Sequence, residues 1–598
     1  MNKIKTLALA VAALSAANSQ AIEFNAGPVS GQINTSISYG VGFRTEDIDL
    51  SQVHPANAEG ATGSTYNYDD GTLNYEKNDM ITNVLKGNVD LELVWDDFGA
   101  FVRGSAFYDS VIMDEDPNFK PYIDETKDSA GSGYDLLDAF VWYNGYLGDT
   151  PASLRLGRQV VSWGESTFIL GGINSINPVN ASAIRKPGVE VKEVLLPVNM
   201  AYGSFGLTDN VTLEAFYQLE WEKTRPDGCG TFFSTNDIVP DGCGPVILVG
   251  AIDEREILDL YENGADMPIT ERITPDDEPS DDGQFGLALR WYSEALGDTE
   301  FGLYHMNIHS RLPYISGKAA PATGQFPEYQ VVYPEDIKLT GVSFSRGTES
   351  GWSIGGEISL KQDYPLQWNS FELILGGTLN DMSLLLKDRA QPYIDNGSAT
   401  DLDDAVSQLA GNEFDGFDRF DVYQAQMTFI KFFDQILGAS RLSFVSEIGA
   451  TYIPDLPSLS EARYGRSGAY GIGTVPDGSG GDRCLTDASG ANLNSDYCTN
   501  DGYVDEVSYG IRARASLDYP NALLGANLKP QLSIGLDEGT APEPGGAFVD
   551  GRIKTDIALN FDYLNAYSGG IAYTMYEGSK YDQLKDRDNV SLNLKVTF

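Results

Sequence analysis

The most regular feature of the chain is a two-residue alternation of apolar and polar positions. From Asn589 to Phe598, Val590, Leu592, Leu594, Val596 and Phe598 share one face, and Ser591, Asn593, Lys595 and Thr597 share the other. Successive side chains of a strand point to opposite faces, so this spacing predicts a strand with one apolar side. The pattern recurs upstream. Ile553, Thr555, Ile557, Leu559, Phe561 and Tyr563 stand opposite Lys554, Asp556, Asn560 and Asp562. Val507, Tyr509 and Ile511 stand opposite Ser508, Arg512, Arg514 and Asp518. Val29, Ile33, Thr35, Ile37, Tyr39, Val41 and Phe43 alternate with Ser30, Gln32, Asn34, Ser36 and Ser38, and Leu213, Ala215, Tyr217, Leu219 and Trp221 with Thr212, Glu214, Phe216, Gln218 and Glu220.

A soluble sandwich alternates in the same way, with one face buried. Three features favour a membrane barrel, apolar outside and polar within. Many segments run for ten or more residues. Several polar faces carry charges of both signs. Aromatics recur at strand ends, at Trp95, Tyr519, Tyr563 and Tyr576, like an interfacial girdle. The expected fold is all-β, a transmembrane antiparallel barrel of about 18 strands (16–18) with long extracellular loops. The final strand, ending in Phe598, resembles the C-terminal sorting signal of bacterial outer-membrane barrels.

Turn signals fall near 96–99, 147–151, 207–210, 295–298, 519–525 and 564–569, with long acidic or Gly/Pro-rich connections between them. Short periplasmic turns and long outer loops give this rhythm, and an even strand count returns both termini to the periplasmic side. Large insertions are expected near 164–197, 223–282 and 361–418 within one domain, 22–598. In the third, Leu402, Ala405, Val406 and Leu409 fall on one helical face behind a Thr400-x-x-Asp403 start.

Residues 1–21 read as a secretory signal: Lys3 and Lys5, a short apolar run from Leu7 to Leu14, and a Ser19-Gln20-Ala21 cleavage site. The run is shorter than the roughly 20 residues that a spanning helix needs. Later, Leu373–Leu386 is broken by Gly376, Gly377, Asn380 and Asp381. The 40 basic residues against 87 acidic, a net charge of −47, argue against nucleic acid as a partner, because phosphates require Lys and Arg. Solvated acidic loops account for this balance; an acidic surface drawing cationic solutes is the alternative.

The four cysteines, Cys229, Cys243, Cys484 and Cys498, form two pairs fourteen positions apart in loop-like sequence. Three connectivities are possible; local pairing is the simplest, and it suits an oxidising compartment. His305 and His309, four apart on a strand, would be separated by about 13 Å, too far to share a metal. No nucleophile-elbow, phosphate-loop or dinucleotide motif occurs, so neither catalytic, cofactor nor metal residues are assigned.

The chemistry then lies in the lumen. Lys86, Asp90, Glu92, Glu214, Glu220, Arg512, Arg514, Asp518, Lys554 and Asp556 are expected to face inward, lining either an aqueous path or a plug. The segment 164–197 mixes Ile and Val with Glu165, Arg185, Lys186 and Glu190. It is a candidate constriction loop folded into the lumen, with an outer lid as the alternative.

Several stretches together resemble a Gram-negative family, domain of unknown function 1302. They include Leu154–Ser166 (LRLGRQVVSWGES), Ile173–Pro178, Gly206–Asp209, Glu214–Gln218, Cys229–Asp237, Pro365–Gln367, Arg463–Arg466, Ala515–Pro520 and Leu584–Asp588. The resemblance covers nearly the whole mature chain. It implies an outer-membrane barrel, in contact with outer-membrane lipid and lipopolysaccharide. It also implies work alongside a periplasmic lipid-binding-like protein (domain of unknown function 1329) and an inner-membrane exporter of the resistance–nodulation–division type. The cargo it implies is hydrophobic or amphipathic. A porin-like diffusion channel and an adhesive or structural barrel are the alternatives, ahead of an outer-membrane enzyme.

Overall fold

The computed structural model describes residues 22–248, 250–322, 324–476, 479–486 and 492–598. The expected signal segment, 1–21, lies outside them. The alternating segments form one antiparallel sheet of nineteen strands. Of these, Ile22–Ala26 folds back only on the start of Val29–Arg44, and the remaining eighteen close into a barrel. Closure runs from Ser36↔Thr597 to Arg44↔Asn589, between the first and last barrel strands. Val211–Gln218 pairs with Phe285–Ser293 across the longest connection.

The apolar positions face outward, as the alternation requires. Val89, Leu156, Leu303, Ile358, Ile448, Ile557 and Leu592 are all exposed, where a bilayer would cover them. Aromatics ring both ends of this belt. Trp95, Phe98, Tyr146, Trp291 and Phe432 sit by the short turns, and Tyr134, Tyr217, Tyr452 and Tyr509 near the long loops. Tyr576 does not join them. It is buried and faces the lumen, because it shares the parity of Thr574 rather than that of the exposed Ile571. Trp221 also departs from expectation. The strand stops at Gln218, and the Trp221 indole turns into the loops to donate to the Ser310 carbonyl at 3.0 Å.

Connections alternate in length. The short ones include 96–97, 148–149, 209–210, 524–525 and 564–566. In the two-residue Leu524–Gly525 turn, φ is 52° and 87°, the pair of left-handed residues that a hairpin matched to strand twist requires. At the other end lie long connections, among them 45–79, 160–197, 219–284, 368–416 and 453–506. Strand Trp352–Gln367 continues past 361 through an irregularity between Lys361 and Tyr364, so the third insertion begins at 368.

These loops fold on themselves. Val246–Ile247, Ile269–Arg272, Tyr314–Lys318, Glu328–Val332 and Glu413–Phe414 form a second, five-stranded sheet. Trp368, Tyr314, Tyr470 and Tyr503 are among the most deeply buried side chains in the molecule. Disulfides Cys229–Cys243 and Cys484–Cys498 each close a local loop. The expected helix is Leu402–Leu409, but its cap is Asp401 rather than Thr400. The Asp401 carboxylate accepts from the Asp404 N–H at 3.0 Å, one position along from the Thr400-x-x-Asp403 pattern.

Candidate functional site: the lumen and its internal loop

The connection 160–197 runs inside the barrel. Its first part packs as a core against one wall: Val161, Trp163, Ile173 and Ile176 contact the inward-facing Met200, Phe216, Tyr304, Met306 and Leu339. That wall is apolar on both faces because the loop covers its inner one, where strict alternation predicts polar residues. Trp163 lies with ring centroids 5.1 Å from Phe216 and 5.9 Å from Tyr304, and its Nε1 donates to Glu214 at 2.7 Å.

Two glutamates hold the loop across the lumen. Glu447, fully buried, accepts from the backbone N–H groups of Thr167, Phe168 and Ile169 at 2.9, 2.6 and 2.7 Å. Glu357 accepts from Glu165 N at 2.5 Å and Ile173 N at 2.9 Å. Charge-assisted bonds of this kind are roughly twice as strong as neutral ones. Sequence reasoning passed over both residues. Each stands as the one carboxylate on an inward face of small, polar or oppositely charged residues, Ser353-x-Gly355-x-Glu357-x-Ser359-x-Lys361 and Ser443-x-Val445-x-Glu447-x-Gly449-x-Thr451. That isolation is the signal that could have singled them out.

The far end of the loop is anchored by ion pairs. Glu193 pairs with Lys86 at 2.8 Å, Lys192 with Asp90 at 3.5 Å, and Glu190 with Lys595 at 2.6 Å. Glu190 and Glu193 also cap the short turn Val191–Val194 reciprocally. Several expected lumen-lining residues are therefore loop anchors. Asp90 is shared with Arg103, and Glu214 with Arg290, each at 2.9 Å. Glu220 lies beyond its strand, where it binds Arg158 at 2.9 Å and Asn199 at 2.7 Å. Glu92 and Asp518 face inward nearer the short-turn end, Glu92 exposed and Asp518 half-buried.

What the loop leaves uncovered is a chamber of about 690 Å³ on the opposite wall. Arg185, Lys186, Arg512, Arg514, Arg552 and Lys554 line it, against Asp537 and Asp556. Asp537 is taken by Arg512 and Arg552, and Arg185 by Asp227 at 3.0 Å. Lys554 stands 3.9 Å from Asp556. Among the described residues, no carboxylate lies within ion-pair distance of Lys186 or Arg514. Lys186 sits over the Phe107 ring at 3.8 Å and donates to the Ala130 carbonyl at 2.8 Å, and Arg514 sits over Phe168 at 5.0 Å. Burial pushes the Lys186 ammonium down to about 8, the nearby Asp109 opposing that shift. Burial pushes the Glu165 carboxyl up to about 7, with Arg290 opposing. Phe168, Ile184 and Phe233 give the same chamber apolar surface. A second cavity of about 410 Å³, among the outer loops, shares Ala181 with it.

Residues 3–598 match the family described as Protein of unknown function (DUF1302). The chain belongs to that family. No curated protein matches it by sequence. Solved structures similar to it include OccAB1 of Acinetobacter baumannii, at 10% identity and a TM-score of 0.38, with 97% of this chain and 99% of that one covered. OccD3 (OpdP) of Pseudomonas aeruginosa is similar at 10% identity and a TM-score of 0.36, over 97% and 93%. The outer-membrane channel DcaP of Acinetobacter baumannii is similar at 9% identity and 0.34, over 96% and 99%.

Proposed function

We propose that this member of the family is an outer-membrane channel that admits amphipathic anions. The observation that carries the proposal is the chamber left by the internal loop: six basic side chains against two carboxylates, interleaved with Phe168, Ile184 and Phe233, in a chain of net charge −47. A wall of one sign with low-dielectric surroundings concentrates counter-ions, so a carboxylate head finds cations while its apolar body finds the aromatic and aliphatic surface. The exposed apolar belt with its two aromatic rings supports a place in the outer membrane. In the same proposal the barrel is the outer part of an envelope-spanning path for lipid-like cargo. Its partners there are a periplasmic lipid-binding-like protein and an inner-membrane exporter.

Current block in planar bilayers tests this. A medium-chain carboxylate added to the folded protein should interrupt the current more strongly than the alcohol or the trimethylammonium of the same chain length. Equal block by all three would overturn the anion preference.

A further inference from the structure

Outside the barrel mouth, the 45–79 and 219–284 connections meet around four carboxylates: Asp69, Asp70, Asp237 and Glu254, exposed by 0%, 4%, 7% and 1%. Among the described residues, one ammonium reaches them. Lys120 Nζ lies 2.9 Å from Asp70 Oδ2 and 3.1 Å from Glu254 Oε1. Four negative charges against one positive leave a deficit, and burial together with the Asp70 charge pushes Asp69, Asp237 and Glu254 well above the usual carboxylate range.

Hydrogen bonding accounts for six of the eight oxygens. Both Asp69 oxygens are served by the Asn57 amide, and Oδ2 also by the His54 N–H. Asn57 reaches Glu254 Oε2, Lys120 reaches Glu254 Oε1 and Asp70 Oδ2, and the Asp70 N–H reaches Asp237 Oδ2 at 3.2 Å. The two left over are Asp70 Oδ1 and Asp237 Oδ1, cut off from solvent and, among the described residues, without a hydrogen-bond partner. An orphaned buried carboxylate oxygen carries a desolvation cost that nothing on the protein offsets. One oxygen from each of Asp69, Asp70 and Asp237 lies within 4.8 Å of the others. Two ligands of one calcium ion, at 2.3–2.6 Å each, lie at most about 5 Å apart.

We propose that Asp70 and Asp237, with Asp69 beside them, bind a divalent cation that ties the 45–79 connection to the 219–284 connection. The donors are all carboxylate oxygens, which selects a hard ion. The nearest imidazole is occupied elsewhere: His54 stacks on Tyr66 and its Nδ1 accepts from the Ala56 N–H. Calcium fits better than magnesium, because magnesium sheds water reluctantly and these carboxylates are already closed from solvent.

The test is calcium titration of the whole mature chain, refolded in detergent without lipopolysaccharide and stripped with a chelator. Isothermal titration should show a saturable site of one ion per chain. The Asp70→Asn/Asp237→Asn double variant, its barrel verified by heat-modifiable gel mobility, should lose that one ion and keep any diffuse binding by exposed acids. Calcium should also slow proteolysis within 45–79 in the wild type, a readout that stands even if the variant does not fold. No saturable uptake at about ten times the millimolar range typical of extracellular sites would overturn the site. So would equal uptake by wild type and variant, or proteolysis indifferent to calcium. Either of the first two results leaves the lumen proposal untouched, since that one is read from current.

Discussion

Lys86 Nζ lies 2.8 Å from Glu193 Oε2, with both side chains only 7% exposed. The bond joins a wall strand to the last part of the internal loop, and Asn88 on the same strand donates to Glu193 Oε1 at 2.9 Å. Removing one partner of such a pair strands the other charge without compensation, at a cost of about 3–5 kcal/mol, whereas replacing both by apolar groups is often close to neutral. Glu193→Ala should therefore lower the urea midpoint of the folded barrel and make its current noisy. The Lys86→Met/Glu193→Leu double variant should recover most of the stability. Equal losses for single and double variants would show that the pair does not anchor the loop.

Glu447 gathers three successive backbone N–H groups of the loop, and Glu357 two more. Hydrogen bonds to a charged group are worth about 1.5–3 kcal/mol each in net terms. Glu447→Gln keeps the shape but loses the charge, and its amide presents a donor to donors. The expected result is a destabilisation of a few kcal/mol and faster hydrogen exchange at Thr167, Phe168 and Ile169, with the barrel strands still protected. Unchanged exchange at those three amides would remove the anchor from the account.

Lys186 gives a pH prediction. Its folded pKa, about 8, lies below the ordinary lysine value of 10.5. Between those two values the unfolded chain binds more protons than the folded one. Stability therefore rises with pH over that window, and the ammonium is a cost to the fold below it. The charge it lends to the chamber is lost as pH rises through about 8. Anion preference should fall between pH 7 and pH 9, and Lys186→Met should remove that part of the pH dependence. A preference in the variant that varies with pH as the wild type's does would contradict the assignment.

Each disulfide closes a loop of fourteen-residue separation. The chain-entropy relation gives about 3 kcal/mol for a loop of that length. Cys229→Ala/Cys243→Ala should make the 219–284 connection more sensitive to protease while leaving heat-modifiable barrel mobility intact. Loss of the barrel itself would mean that the loops and barrel fold as a single unit.

The barrel was legible because lipid favours apolar side chains at every second residue: Val590 to Phe598 shows nothing else, and Ile553 to Phe561 departs only at Thr555. The six expected turns rest on the turn signals between these runs, and the expected strand count on the alternation of short turns and long connections. The lumen was less legible, since inward residues answer to whatever covers them. Phe216, Tyr304 and Met306 face inward although apolar, because the loop with Trp163 and Ile173 buries them. Lys86, Asp90 and Glu214 were found as inward charges, but whether they meet water or a folded loop depends on contacts between 51 and 107 residues apart in the chain. Tyr576 was misplaced by its position near a strand end, where parity rather than location decides the face. The carboxylates around Asp70 gave no signal, because Asp69, Asp237 and Glu254 come together only through the loop fold.

Reversal potential across a planar bilayer, under a gradient of potassium chloride, tests the central claim most directly. The folded wild type should give steady single-channel steps with anions preferred over cations, and Arg514→Glu/Lys554→Glu should shift the reversal potential towards cations. Cation preference in the wild type, or electrical silence from demonstrably folded barrel, would contradict a cationic path beside the internal loop.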